Sequence, residues 1–202
     1  MKRAAVVMCI PVLLVFLLLD AGCGKREEKK ESGPPALTQG EPSPGTALSV
    51  AGIRWNVPGR WSEHPPRQMR VATYMVPSPG EGLEAGEVAV FFFGGGQGGD
   101  VESNIRRWVG QFENAGEPER SHMEVDGMRV ELIELAGVFL APSGPMMQSS
   151  GKKEDYRLMG AIVSAPEGAV FFKFTGPAKT VKAAGEEFRS LIASIQREGA
   201  PS

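Results

Sequence analysis

EVAVFFFGGGQGGDVESNIRRWVGQF, residues 87–112, holds a strand, a glycine-rich connection and a helix in direct succession. Glu87–Phe93 is apolar on both faces, so it predicts a central strand covered on both sides. Each Val or Phe buried there contributes roughly 1.5–3 kcal/mol. After the glycines, Val101, Ile105, Trp108, Val109 and Phe112 recur at helical spacing, with Arg106, Arg107, Gln111 and Glu113 opposite. Asp100 has the chemistry of an N-cap, and Glu102 suits the positive end of a helix. A helix over 101–113 is too short to be stable alone, so its apolar stripe must pack on a sheet.

Working outward, strand patterns lie on both sides. Upstream, 48–57 alternates in part (Val50, Ile53, Trp55, Val57) and stops at Pro58-Gly59. A second run, 68–76, stops at Pro77-Ser78-Pro79-Gly80. Downstream, 122–125 turns at Asp126-Gly127 into a run carrying Met128, Val130 and Leu132. Apolar residues then change phase at Leu132-Ile133, which predicts a bulge there. Residues 141–155, APSGPMMQSSGKKED, read as a long loop. The segments 156–163 and 169–175 read as a hairpin across Ala165-Pro166-Glu167-Gly168. Past Gly176-Pro177, the stripe Val181, Ala184, Phe188, Leu191, Ile192 and Ile195 marks a last helix. The order βββ-α-ββββ-α, with neighbours joined by short turns, predicts an α+β domain: a mostly antiparallel sheet with helices packed on it.

The N-terminus belongs to another class of sequence. Lys2 and Arg3 precede the uncharged run 4–19, AAVVMCIPVLLVFLLL, and Ala21-Gly22 stand directly before Cys23. This is the layout of a cleavable signal ending at a lipid-attachment cysteine, with Asp20 where such signals usually carry Leu. The run is short for a membrane-spanning helix and is interrupted by Pro11. The expected organisation is a signal peptide over 1–22, a lipidated N-terminus and disordered tether over 23–47, one domain over 48–196 and a tail over 197–202. Charged, Pro, Gly and Ser residues dominate the tether, and its prolines favour an extended chain.

The chain contains two cysteines, Cys9 and Cys23. Cys9 would leave with the signal and Cys23 would carry acyl chains, so no thiol chemistry, disulfide or cysteine-held metal is expected in the mature domain. The expected address is the exported side of the cell envelope, membrane-anchored through the lipid on Cys23. The net charge of −2 argues against a nucleic-acid partner.

Two features carry a resemblance. The element order over the domain resembles the fold of the PsbP-type subunit of photosystem II and of a eukaryotic Ran-binding import factor. The string Trp55-Asn56-Val57-Pro58, Trp61, Met69-Arg70-Val71-Ala72, Gly94–Gly99, Asn104, Arg107-Trp108, Gln111-Phe112, Gly160-Ala161-Ile162, Phe171-Phe172-Lys173 and Thr175-Gly176-Pro177 is similar to a family of uncharacterised bacterial envelope lipoproteins. That resemblance implies a PsbP-like fold and an envelope location, and no activity. Fold alone carries no function across.

Candidate chemistry is sparse. Gly94-Gly95-Gly96-Gln97-Gly98-Gly99 fits G-x-G-x-x-G between a strand and a helix, where backbone N–H groups and a helix start can hold phosphate. Near-consecutive glycines satisfy that pattern almost by default, however. No parallel strand follows, and Asp100 places a negative charge where phosphate would sit. His64 and His122 lack partners at metal-ligand spacing, so no metal, catalytic residue or cofactor is expected. Trp55, Trp61 and Tyr74 fit either a sugar or peptide platform or core or edge packing of the first strands, the latter being the commoner use. Gly94, Gly96, Gly99, Met146 and Met147 are the candidate ligand or partner contacts, the methionines because their side chains adapt to protein surfaces. The expected role is non-catalytic binding or support of another envelope component. The alternative is a small-ligand binder or enzyme using the Gly94–Gly99 loop.

Overall fold

A computed structural model of the chain describes residues 49–65, 67, 69–143 and 148–199. The signal, Cys23, the tether and Met146-Met147 lie outside the described residues.

Strands β1 (Ile53–Arg54), β2 (Ser62–Glu63), β3 (Ala72–Val76) and β4 (Gly86–Phe92) lead into helix α1 (Val101–Val109). Then follow β5 (Phe112–Glu113), β6 (Glu119–Val125), β7 (Met128–Ser143), β8 (Gln148–Ala165) and β9 (Gly168–Pro177). Helices α2 (Ala178–Ala183) and α3 (Gly185–Ala193) and strand β10 (Gln196–Arg197) complete the order. The main sheet runs β2-β3-β4-β9-β8-β7-β5, with β6 also paired to β7, and its pairings are antiparallel. The α+β class read from the sequence is the class observed.

Both sheet faces are buried. Val88, Val90, Val130, Ala161, Phe172 and Phe174 pack with Val181, Phe188, Leu191 and Ile192 of α2 and α3. On the other face Ile133, Leu158, Ile162 and Phe171 pack with Ile105 and Trp108 of α1. The central strand β4 therefore has to be apolar on successive residues, as its sequence requires. Trp55, Trp61 and Tyr74 are core residues, at 3%, 7% and 2% exposure. The Trp55 indole N–H donates to the Tyr74 hydroxyl at 3.1 Å, and desolvation pushes that phenol up to about 12.

Several local expectations are corrected. The strand over 48–57 shrinks to Ile53–Arg54, which pairs with β10 in a separate two-stranded ladder. Helix α1 ends at Val109, because Gly110 caps it and Phe112–Glu113 joins the sheet edge beside Phe139. The last helix is two, divided at Ala184.

The long loop over 141–155 is mostly strand: β7 reaches Ser143 and β8 starts at Gln148. Its turn-forming composition is absorbed by two register shifts against β7, near Gly151 (φ +139°) and Asp155 (φ +53°). The bulge expected at Leu132-Ile133 is absent, since pairing runs unbroken from Val130 to Gly137. The phase change there has another cause. Leu132 packs on the α2–α3 side and Ile133 on the α1 side, so successive residues serve opposite cores.

Candidate functional site

The β9 sequence Phe171-Phe172-Lys173-Phe174-Thr175 sets a charge in the middle of a buried strand. Alternation sends Phe172 and Phe174 toward α2 and α3, and Phe171, Lys173 and Thr175 toward the α1 side. Helix α1 has nine residues and covers only part of that face, with Trp108 lying over Gly160. Beside it the sheet is open. Ala89 and Phe91 of β4, Phe139 and Ala141 of β7 and the β9 residues enclose a hollow of about 350 Å³. Alanines on its floor leave the volume that larger side chains would fill.

Four cations reach this hollow, Arg67, Arg70, Lys153 and Lys173, against two carboxylates, Glu84 and Glu87. The carboxylates are already engaged. Glu87 pairs with Arg70 at 2.8 Å and with Arg67 at 3.2 Å. Glu84 accepts from Lys153 and from the Tyr156 hydroxyl, each at 2.6 Å, and these hydrogen bonds hold its carboxyl below the usual range. Lys173 is left without a carboxylate among the described residues. Its amine donates to Oε1 of Gln111 and stands 5.5 Å from the centre of the Phe139 ring. Burial, followed by the neighbouring Arg70 charge, pushes the Lys173 amine down to about 8 against the smaller opposing pull of Glu87. The Arg70 guanidinium lies 5.7 Å from the Phe91 ring centre. The Thr175 hydroxyl is buried in the lining with no hydrogen-bond partner among the described residues. Aromatic walls, a surplus of positive charge and an unspent hydroxyl together favour an anion with an apolar body.

A second hollow of about 350 Å³, on the opposite face, behaves differently. There Arg157 (2.6 Å) and Arg189 (2.5 Å) both donate to Glu134. Arg189 also pairs with Glu186 at 2.6 Å. Burial raises the Glu134 carboxyl, but the two guanidinium hydrogen bonds outweigh it and leave the group below its ordinary value. This network closes on itself and ties β7, β8 and α3 together.

The glycine loop lies elsewhere, and Gly94, Gly96 and Gly99 do not line the Lys173 hollow. Its backbone serves the fold. Asn104 of α1, buried at 3% exposure, donates to the carbonyls of Gly98 (2.8 Å) and Asp100 (2.9 Å). Asp100 caps α1 by accepting from the Ser103 N–H at 2.8 Å. Gly98, at φ +88°, leaves a Cβ no room: one would sit 2.6 Å from the Phe93 ring. Among the described residues no group of His, Cys, Asp and Glu is placed to hold a metal ion.

Neither a protein-family model nor a curated protein sequence matches this chain. Among solved structures, the solution structure of cyanobacterial PsbP (CyanoP) from Synechocystis sp. PCC 6803 is 9% identical at a TM-score of 0.48, over 75% of this chain and 90% of that one. A Pseudomonas aeruginosa protein of unknown function is 11% identical at 0.46, over 78% and 98%. A Bacteroides thetaiotaomicron protein is 13% identical at 0.39, with this chain spanning about half of it (47%). The α+β assignment stands on the strand register and the packed helices, and these neighbours add nothing about activity.

Proposed function

We propose that this chain is a lipid-anchored envelope protein that binds a small monoanionic ligand, most simply a carboxylate with an apolar body, in the hollow around Lys173. The observation that carries the reading is a lysine set against the Phe139 ring and beside Arg70, with no carboxylate in ion-pair contact among the described residues. The missing counter-charge is what a ligand would bring, since a buried cation is stabilised by a paired anion. Among the described residues Arg70 spends only Nη1, on Glu87 and Thr73. Its remaining donors are available in the fork geometry that suits a carboxylate. In this reading the ligand is the envelope component that the protein binds, and the Gly94–Gly99 loop is a connector.

Calorimetry of the full-length chain in detergent with 3-phenylpropanoate tests the binding. We expect a Kd below about 100 μM, or about −5.5 kcal/mol. Arg70→Gln and, separately, added salt should each weaken it at least tenfold. No binding at millimolar ligand, or binding indifferent to Arg70→Gln, would overturn the reading.

The anchor rests on Cys23 and its preceding signal. Cys23→Ala should abolish acylation and leave unprocessed precursor or soluble protein on fractionation. Mature-sized variant protein still in the membrane fraction would rule out lipid anchoring at this residue.

A further inference from the structure

We propose that Lys173 forms an imine with a 2-oxo acid held in the same hollow, an inference that rests on the anionic-ligand reading. The geometry separates the two functions such a ligand needs. Arg70, with Arg67 on the rim, offers guanidinium donors for the carboxylate. The Lys173 amine, on β9 and separated from the Arg70 segment by β4, offers a nucleophile for the carbonyl. Phe91 and Phe139 supply apolar surface for the remaining side chain. Thr175 lies two residues along β9 from Lys173, on the same face, and its buried hydroxyl, without a partner among the described residues, can bind the oxygen that the reaction generates.

The surroundings of the amine suit a nucleophile rather than a structural cation. A structural lysine is expected to hold a carboxylate, as Lys152 holds Glu113 at 2.5 Å and Lys153 holds Glu84 at 2.6 Å. Lys173 instead hydrogen-bonds a neutral amide, Gln111, and neighbours Arg70, whose charge outweighs the opposing charge of Glu87. A desolvated lysine beside another positive charge is the usual preparation for carbonyl chemistry. With the amine titrating at about 8, about one molecule in ten carries it neutral at pH 7, against about one in a few thousand for an ordinary lysine.

The step balances without a redox partner. The neutral Nζ lone pair attacks the carbonyl carbon and forms the C–N bond, and the C=O π pair moves to oxygen, which takes up the proton that the now positively charged nitrogen gives up. The carbinolamine then loses its hydroxyl and a nitrogen proton as one water, leaving the C=N bond.

Sodium borohydride trapping of the full-length chain in detergent, with phenylpyruvate as probe and peptide mass mapping, tests this. We expect a reduced adduct on Lys173 at least tenfold more abundant than on the exposed Lys179. Lys173→Arg should eliminate it, and Arg70→Gln, which keeps the amine, should lower it at least tenfold. Excess 3-phenylpropanoate, which has no ketone, should protect Lys173 by competition. If phenylpyruvate binds with the Arg70 dependence described above but borohydride leaves Lys173 unmodified, or labels it no more than Lys179, the imine is refuted while anion binding stands. If neither phenylpyruvate nor 3-phenylpropanoate binds, both fall together.

Discussion

Trp108→Ala is expected to destabilise the domain by about 3–5 kcal/mol, measured as a lowered denaturation midpoint at unchanged slope. Trp108 is 5% exposed and belongs to the cluster that joins α1 to the sheet. Its ring lies directly over Gly160: a Cβ at 160 would come within 2.3 Å of the indole and 2.7 Å of Ile133. The pair is therefore a fitted knob and socket, and truncating the knob leaves a cavity that β7 and β8, paired on either side, are poorly able to close. Gly160→Ala attacks the same contact from the sheet side and should also be destabilising. Combined with Trp108→Ala it should lose part of its own penalty, because the indole clash has gone while the contact with Ile133 remains. A Trp108→Ala variant as stable as the wild type would mean that α1 does not form part of the core.

Lys173→Met is expected to remove a pH dependence of stability. The folded amine titrates near 8, below the roughly 10.4 of an unfolded lysine. Between those values the unfolded chain binds more protons than the folded one, so wild-type stability should rise with pH across that window. Below about 8 the full penalty of burying the charge is present. The shift corresponds to about 3 kcal/mol, and contact of part of the side chain with solvent reduces the expected gain to about 2 kcal/mol. Methionine has similar bulk and no charge, so the variant should be more stable than wild type at pH 7, and the difference should fade toward pH 10.5. Other groups titrate in the same window, but they are common to both proteins and cancel. Parallel denaturation series at several pH values check this, and a difference that does not vary with pH would show that the amine is not desolvated.

The helix stripes were legible because burial on one side imposes a period of 3.6, which α1 and α3 keep cleanly, and β4 was legible as an unbroken apolar run because both its faces are covered. The arms around Pro142 and Gly151 were not. Their Gly, Pro and Ser content reads as loop, and only the long partner strand makes them pair. The phase change at Leu132-Ile133 reads as a bulge until both faces are known to be covered. The site was the least visible feature. The one trace of it is Lys173 itself, a lone charge among four apolar or aromatic neighbours in a central strand. What makes it a candidate site is the shortness of α1, the alanines beneath and an arginine about a hundred residues earlier, and no local pattern encodes that juxtaposition. The glycine loop attracted attention by composition, and its glycines are explained by close packing and positive φ.

The small ladder between β1 and β10 has a mechanical side. Ile53 pairs with Arg197 and Arg54 with Gln196, and the Glu198 N–H donates to the Gly52 carbonyl at 2.9 Å. The incoming and outgoing segments of the domain thus leave from one pole, side by side and antiparallel. Tension applied between them loads these hydrogen bonds one after another, in an unzipping geometry rather than in shear. A pull arriving through the N-terminal segment is then met first by a clasp of two rungs, a weak link in series that yields before force reaches the eight-stranded sheet.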